Sequence, residues 1–331
     1  MNKKLLVQSF LGCWLTLMAS LALAAAPDPQ NGSLTDSTRR PPPGRSVLGI
    51  IAGGASGTYI RIASDMASVL DGPDLRIIAM VGQGSAQNIN DLLYLKGVDM
   101  AIVQSDVLEY FKRHRSDQRL ENKISYITKL YNEEFHLIAT EKVGTLADLA
   151  GKKVNFDVRG SGTALTASLL FDTLKIAVEP THFDQATAMQ KLKGGEISAL
   201  AYVAGKPTAL FEKLAAADQL HFLSVQYTPD LMETYLPATL SAQDYPTLVP
   251  ADQEIRTIAV GAVLAAYHWN AKSQRYRKVA NFTNALFQHF NEFRQPARHP
   301  KWREVSLSAI LPGWTRFPAA EDWLKNQPRQ P

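Results

Sequence analysis

Ile50-Ile51-Ala52-Gly53-Gly54-Ala55-Ser56-Gly57-Thr58-Tyr59 is the stretch on which the fold turns. A short apolar run ends in a Gly/Ser/Thr turn, and a helical pattern follows at once. Such a turn sets backbone N–H groups and hydroxyls at a helix start, which suits an anion. The second half of the chain has a counterpart in Val154-Asn155-Phe156-Asp157-Val158-Arg159-Gly160-Ser161-Gly162-Thr163. One such turn in each half predicts two lobes with a small anion held between them.

Strands and helices alternate outward from the first turn. Val47–Ala52 reads as a buried strand, and Thr58–Leu70 carries Ile62, Ala63, Met66, Ala67, Val69 and Leu70 at helical spacing. Leu75–Val81 is a second strand. Ser85 is placed to cap a helix with Ile89, Leu92 and Leu93 on its apolar face and Gly97 as its stop. Asp99–Gln104 is a third strand, and Ser105 is placed to cap the helix after it. The second half repeats the plan: strand Lys153–Phe156, helix Thr163–Leu174, a helix from the Asp184 cap to Lys193, and strand Ile197–Val203. Leu95-Lys96-Gly97-Val98-Asp99-Met100-Ala101 and Leu192-Lys193-Gly194-Gly195-Glu196-Ile197-Ser198-Ala199 both end a helix and start a strand, which favours related lobes. Phe135–Thr140 and Glu254–Tyr267 are apolar runs suited to crossing between lobes. Ser273–Phe293 reads as one long helix, and a tail with Trp302, Trp314, Phe317 and Trp323 is expected to pack over the first lobe. This alternation predicts an α/β fold with a mostly parallel sheet.

The ends and the composition set further bounds. Lys3 and Lys4 precede an apolar run from Leu5 to Leu23, and Ala22-Leu23-Ala24 fits a small-x-small cleavage site. Residues 1–24 therefore read as an export signal, with a retained anchor helix as the alternative. Residues 25–45, rich in Pro, Ser, Thr and Gly, read as a flexible tether. Cys13 is the single cysteine of the 331 residues, so a cleaved chain has no disulfide, thiol nucleophile or cysteine ligand. Losing Lys3 and Lys4 takes the formal charge from +4 to +2, too mild to imply nucleic acid.

Catalytic motifs are missing from the sequence. The seven histidines are scattered without metal-ligand spacing, so no metal is expected. Gly54-Ala55-Ser56-Gly57 is one residue short of a nucleophile elbow, and the first turn lacks Gly-x-Gly-x-x-Gly, so neither a serine hydrolase nor a nucleotide cofactor is expected. Binding chemistry is plentiful. Ala55, Ser56, Thr58 and Tyr59, then Gln83, Ser85 and Asn88, then Gln104 and Ser105, follow successive strands. Ligands of open α/β sheets bind beyond those strand ends. The hydroxyls, carboxamides and helix-start N–H groups can hold a carboxylate, although Ser56, Ser85 and Ser105 are equally suited to capping. The second lobe offers Arg159, Ser161, Gly162, Thr163 and Tyr202. A guanidinium grips a carboxylate with two bonds, and the alternative for Arg159 is a surface loop. Tyr202 is either a lid or a core aromatic. Lys206 is either a second cation or a solvated lysine.

In this order and spacing the motifs resemble a known family. They are Gly53-Gly54-Ala55-Ser56-Gly57-Thr58-Tyr59, Gln83-Gly84-Ser85-Ala86-Gln87-Asn88, Val98-Asp99-Met100-Ala101-Ile102-Val103-Gln104-Ser105-Asp106, Leu130-Tyr131, Phe135-His136-Leu137-Ile138, Leu146 to Val154, Gly160-Ser161-Gly162-Thr163 and Leu236-Pro237-Ala238-Thr239-Leu240. Together they resemble the TAXI proteins, the substrate-binding subunits of one group of tripartite ATP-independent periplasmic (TRAP) transporters. The resemblance implies a type II periplasmic-binding-protein fold: two α/β lobes joined by a hinge around a ligand cleft. The lobes would be 46–140 with a return at 241–331, and 141–240. It implies an exported receptor for a small organic anion, with the membrane subunits of the transporter as partners; a monomer without cofactor is expected, and the alternatives are a ligand-sensing receptor for a membrane signalling partner or an enzyme on the same fold. Ile60 and Arg61 after Tyr59, and Asp157-Val158-Arg159 before Gly160, depart from the usual family pattern.

Overall fold

A computed structural model describes residues 45–55, 57–114 and 120–326, all within one compact unit. The expected signal segment, the tether up to residue 44, and Ser56 lie outside the described residues.

The first half builds β1 (Ser46–Ile51), α1 (Thr58–Leu70), β2 (Leu75–Met80), α2 (Ser85–Tyr94), β3 (Met100–Gln104), α3 (Val107–His114) and α4 (Leu120–Lys123). Next comes β4 (Ile124–Thr140), then β5 (Lys153–Asn155), α5 (Gly162–Thr173), β6 (Glu179–Thr181), α6 (Gln185–Lys193) and β7 (Ala199–Ala204). Short pieces follow: α7 (Ala209–Glu212), β8 (Leu220–Phe222), α8 (Pro229–Met232) and β9 (Leu236–Ser241). The last part is β10 (Glu254–Tyr267), α9 (Gln274–Gln288), α10 (Phe290–Phe293) and α11 (Pro318–Lys325).

One ten-stranded sheet runs β2-β1-β3-β10-β4-β7-β5-β6, with β8 added on β4 and β9 on β10. The β1–β2, β1–β3, β5–β6 and β5–β7 pairs are parallel. The two long strands form the antiparallel spine. On β10, Ala262–Ala266 pairs with β3 and Glu254–Ala259 with β9; on β4, Glu134–Ala139 pairs with β7. Each long strand thus serves both lobes, as the two apolar runs suggested. Buried on both faces, they read as near-continuous apolar sequence.

Each lobe has a core of its own, and a third cluster joins Leu165 and Leu169 of α5 to Ile89, Val103 and Phe111 of the first lobe. Over the first, Ile62, Ala63 and Met66 of α1 and Phe282 and Leu286 of α9 cover Leu48, Ile50, Ile102 and Leu264. The tail joins this core through Trp302 and Phe317, both fully buried. Asp65 of α1 holds the tail in place: its Oδ2 accepts from His299 N at 2.8 Å and Trp302 Nε1 at 2.9 Å. In the second lobe Ala167, Leu170 and Phe171 of α5 pack on Phe135, Leu137, Val154 and Ala201.

Three local expectations are corrected. The helix from Ser273 stops at Gln288 and restarts at Phe290, a break that brings Phe293 to 4.5 Å from the Trp302 ring. Ser85 is the first helical residue rather than the cap; Gly84 holds that place, because the Ser85 hydroxyl is used by Gln104. Ser105 does not cap α3, because its hydroxyl accepts from Gly261 N at 3.1 Å and ties β3 to the spine.

Candidate functional site

The turn after β3 and the turns that open α2 and α5 meet across the two lobes. Gly84 has φ 115°, and a methyl group there would stand 2.9 Å from Gly162 N and 3.2 Å from Ser161 Cα. A methyl at Gly162 would lie 2.6 Å from Cδ of Gln104. Gly84 is therefore required by close backbone approach, whereas Gly162 leaves room for the Gln104 carboxamide. Gln87 N donates to Gly160 O across the same contact at 3.2 Å.

Several expected residues build this meeting point. Ser85 Oγ accepts from Gln104 N at 2.8 Å and donates to Gln104 Oε1 at 3.1 Å. Asn88 is fully buried; its Nδ2 donates to Ala52 O at 2.7 Å and Ile102 O at 2.8 Å, and its Oδ1 accepts from Gly84 N. It pins the ends of β1 and β3 to the α2 turn. Ser161 caps α5 by accepting from Ala164 N at 3.1 Å. Thr163 Oγ1 accepts from Val203 N at 3.0 Å, locking α5 to β7. Tyr202 is half-buried, and burial lifts its hydroxyl to about 12. Ala55, Gln83 and Arg159 are exposed and Thr58 is half-buried. Ser105 faces the spine instead.

Tyr59 leads to residues the motif search missed. Its hydroxyl donates to Glu133 Oε2 at 2.6 Å. Glu133 is buried in the middle of β4, and desolvation raises its carboxyl to about 8. Burial also raises Glu134 next to it, whose Oε2 accepts from Lys206 N at 3.1 Å. The Tyr131 hydroxyl is buried with no hydrogen-bond partner. Lys301 reaches in from the tail, donates to Asn132 O at 3.3 Å and packs against Gly205 at the end of β7. Asp157 lies before the α5 turn at φ 66°, its carboxyl raised by burial and facing Ser161 and Gln185. Lys206 turns away, donating to Thr239 O at 2.7 Å and Asp244 Oδ2 at 2.9 Å. The Asn132-Glu133-Glu134 step inside an apolar strand was the available signal, since paired charges in a buried strand are costly without a purpose.

A second buried acid bridges the lobes. Asp106, just after β3, accepts at Oδ2 from Thr166 Oγ1 of α5 at 2.7 Å and from the Tyr235 hydroxyl at 3.3 Å. Desolvation lifts its carboxyl to about 7.

The chain folds as two α/β lobes on a two-strand spine, with the N-termini of α2 and α5 converging. The chain belongs to the NMT1-like family, whose description matches residues 50–315. Among solved structures it is similar to the periplasmic binding protein BugD (12% identity, 86% of this chain and 94% of that one, TM-score 0.49). It is also similar to the alkanesulfonate-binding protein SsuA of Xanthomonas axonopodis pv. citri bound to MOPS (15%, 86% and 85%, TM-score 0.44). A third is a P235GK mutant of ArgBP from T. maritima (14%, 76% and 91%, TM-score 0.43). What each neighbour binds is a property of that neighbour.

Proposed function

We propose that the chain is an exported solute receptor of the TAXI type. It captures a small organic anion (a dicarboxylate, a keto acid or an amino acid) by closing 141–240 against 46–140 and 241–331, and it hands that anion to the membrane subunits of a TRAP transporter. It acts as a monomer without cofactor, and it is a binding protein rather than an enzyme.

The observation that carries this reading is the convergence of the α2 and α5 N-termini beside Glu133. Neither helix has an acidic residue in its first turn, and the one carboxyl at the α5 cap, Asp157, is raised by burial, which favours its uncharged form. Glu133, raised to about 8, keeps its proton at neutral pH and offers a donor instead of a repelling charge. The ligand shifts an open–closed balance through the extra contacts it makes in the closed form. The membrane partner then reads the joint surface of both lobes.

A thermal-shift screen of the mature chain against organic acids and amino acids tests this. A ligand at a hundredfold excess over its Kd adds about 2.7 kcal/mol. An anionic hit that also shrinks the radius of gyration in X-ray scattering is expected. Hits confined to cations, or dimensions that stay fixed at saturation, would overturn the reading, and turnover of the hit would make the protein an enzyme.

A further inference from the structure

A cavity of about 480 Å³ opens on the other face of the spine. On β10, Val260 pairs with Glu133, and Ala262 joins the core that holds Tyr59 and Tyr131. Side chains alternate along a strand, so Ala259 and Gly261, which line the cavity, point away from the Tyr59–Glu133 cluster. Walls come from both lobes: α3 and the 309–314 loop on one side, and the segment from α8 to β9 on the other. The volume lies within the range of small-molecule sites.

Its lining has a definite chemistry. Met232, Leu236 and Ile310 stand at the rim with 57%, 44% and 82% of their surface exposed, around the more buried Leu108 and Leu311. Exposed apolar groups gathered at one opening mark a binding surface. At the inner end Asp106 is 1% exposed, and its Oδ1 has no hydrogen-bond partner. A buried acceptor left unmade is costly, so a partner for it is expected. Glu109 and Glu233 add negative charge, whereas the two lysines of the lining are engaged: Lys129 Nζ donates to Asn132 Oδ1 at 2.6 Å, and Lys112 lies 4.0 Å from Glu109. The Trp314 indole N–H is also in use, on Ser105 O. Besides Lys129, whose charge the neutral Asn132 leaves in place, a guest meets an apolar wall and one buried carboxylate oxygen.

We propose that this cavity is a second ligand site, for a small amphipathic amine whose ammonium reaches Asp106 Oδ1 while its apolar body lies against Met232, Leu236 and Ile310. Because both lobes line it, an occupant there sets their spacing independently of the solute held near Glu133. The inference does not depend on the identity of that solute.

The test is a calorimetric titration of the mature chain with 2-phenylethylamine at pH 8, above the value of about 7 to which burial lifts Asp106. 3-Phenylpropionate, with the same ring and the opposite charge, is the control. One saturable site for the amine is expected, with the acid at least about tenfold weaker, a difference of about 1.4 kcal/mol. Ile310→Ser with Met232→Ser, both at exposed positions that leave folding intact, should weaken the amine about tenfold. Asp106→Asn should weaken it further, and Tyr59→Phe should leave it unchanged. Equal binding of amine and acid, or binding lost in Tyr59→Phe and kept in the rim variant, would overturn the site.

Discussion

Glu133 and Asp106 are two buried carboxyls on the same spine, and they differ in who holds them. Glu133 takes its hydrogen bond from Tyr59 at the head of α1, on the lobe where β4 begins. Asp106 takes both of its bonds from the opposite lobe, through Thr166 of α5 and Tyr235. Burial raises both acids, to about 8 and about 7. On the proposed hinge motion, opening the lobes leaves the Tyr59–Glu133 pair assembled and dismantles the Asp106 bridge. That reading makes the first a fixed sensor of what enters the cleft and the second a latch whose strength is counted in the closed form alone. In a hinged receptor these tasks can be separated by mutation.

The largest effect is expected where both tasks meet, at Gly84. An alanine there needs an extended positive-φ backbone, essentially glycine-only, that costs a residue with a Cβ about 1–3 kcal/mol. Its methyl would also strike Gly162 N. Closure should fail: affinity for the anionic hit should drop at least about a hundredfold, near 2.8 kcal/mol. The open protein should stay folded, because each lobe keeps a core of its own. A Gly84→Ala protein that binds and contracts like the parent would show that the two turns need not touch.

Glu133→Gln comes next and isolates the sensor. The parent carboxyl is raised from an ordinary value near 4.5 to about 8. Its contribution to stability is thus complete below pH 4.5 and is lost as pH rises through 8. Ionisation over that interval also places a negative charge beside the anion. Affinity in the parent should fall about tenfold between pH 7 and 9, and the variant should show a flat profile. The same slope in both proteins would remove Glu133 from the site.

Asp106→Asn isolates the latch. The groups that act on this carboxyl are Thr166 and Tyr235, with Glu133 coupled to it through charge; Glu109 and Arg113 of α3 act on Tyr235. In the open form water reaches Asp106 and its pKa returns toward the carboxylate range. Raising the pH through 7 therefore favours opening, by about tenfold between pH 6 and 8. Scattering without ligand should record expansion of the parent over that interval and constant dimensions in the variant. Expansion that persists in Asp106→Asn would assign the pH response to another group.

The contrast between sensor and latch also marks how far the sequence could be read. Regular elements follow local period. The helix at Thr58–Leu70, the strand at Glu254–Tyr267 and the Asp184 cap of α6 fall where the patterns put them. The Gly/Ser/Thr turns were legible for the same reason: a strand, a break and a helix are neighbours in the chain. Glu133, Asp106 and Lys301 were not legible as buried functional positions, because their burial depends on segments far apart in sequence. Lys301 reaches β4 across 169 residues, and Tyr235 reaches Asp106 across 129. Ser85 and Ser105 looked like caps, since a hydroxyl before a helix has that meaning locally. Their bonds to Gln104 and Gly261 exist only once the strands lie side by side. Asn88 is the intermediate case: its place on the α2 face was legible, but its three bonds to β1, β3 and Gly84 were not.

The smallest effect is expected at Arg159, and it sharpens the comparison from the second lobe. The side chain is exposed beside the α5 turn. Gly160, its neighbour, touches Gln87 of the first lobe, so Arg159 stands at the edge of the closed contact. An exposed guanidinium facing a carboxylate through water contributes less than about 1 kcal/mol. Arg159→Ala should therefore weaken the anionic hit by about threefold, and more at low salt, where screening is weaker. Fold and pH profile should be unchanged, since neither Glu133 nor Asp106 is touched. A thermal shift identical to that of the parent at low ionic strength would leave the helix ends and Glu133 as the whole of the anion's grip, and would place Arg159 on the surface alone.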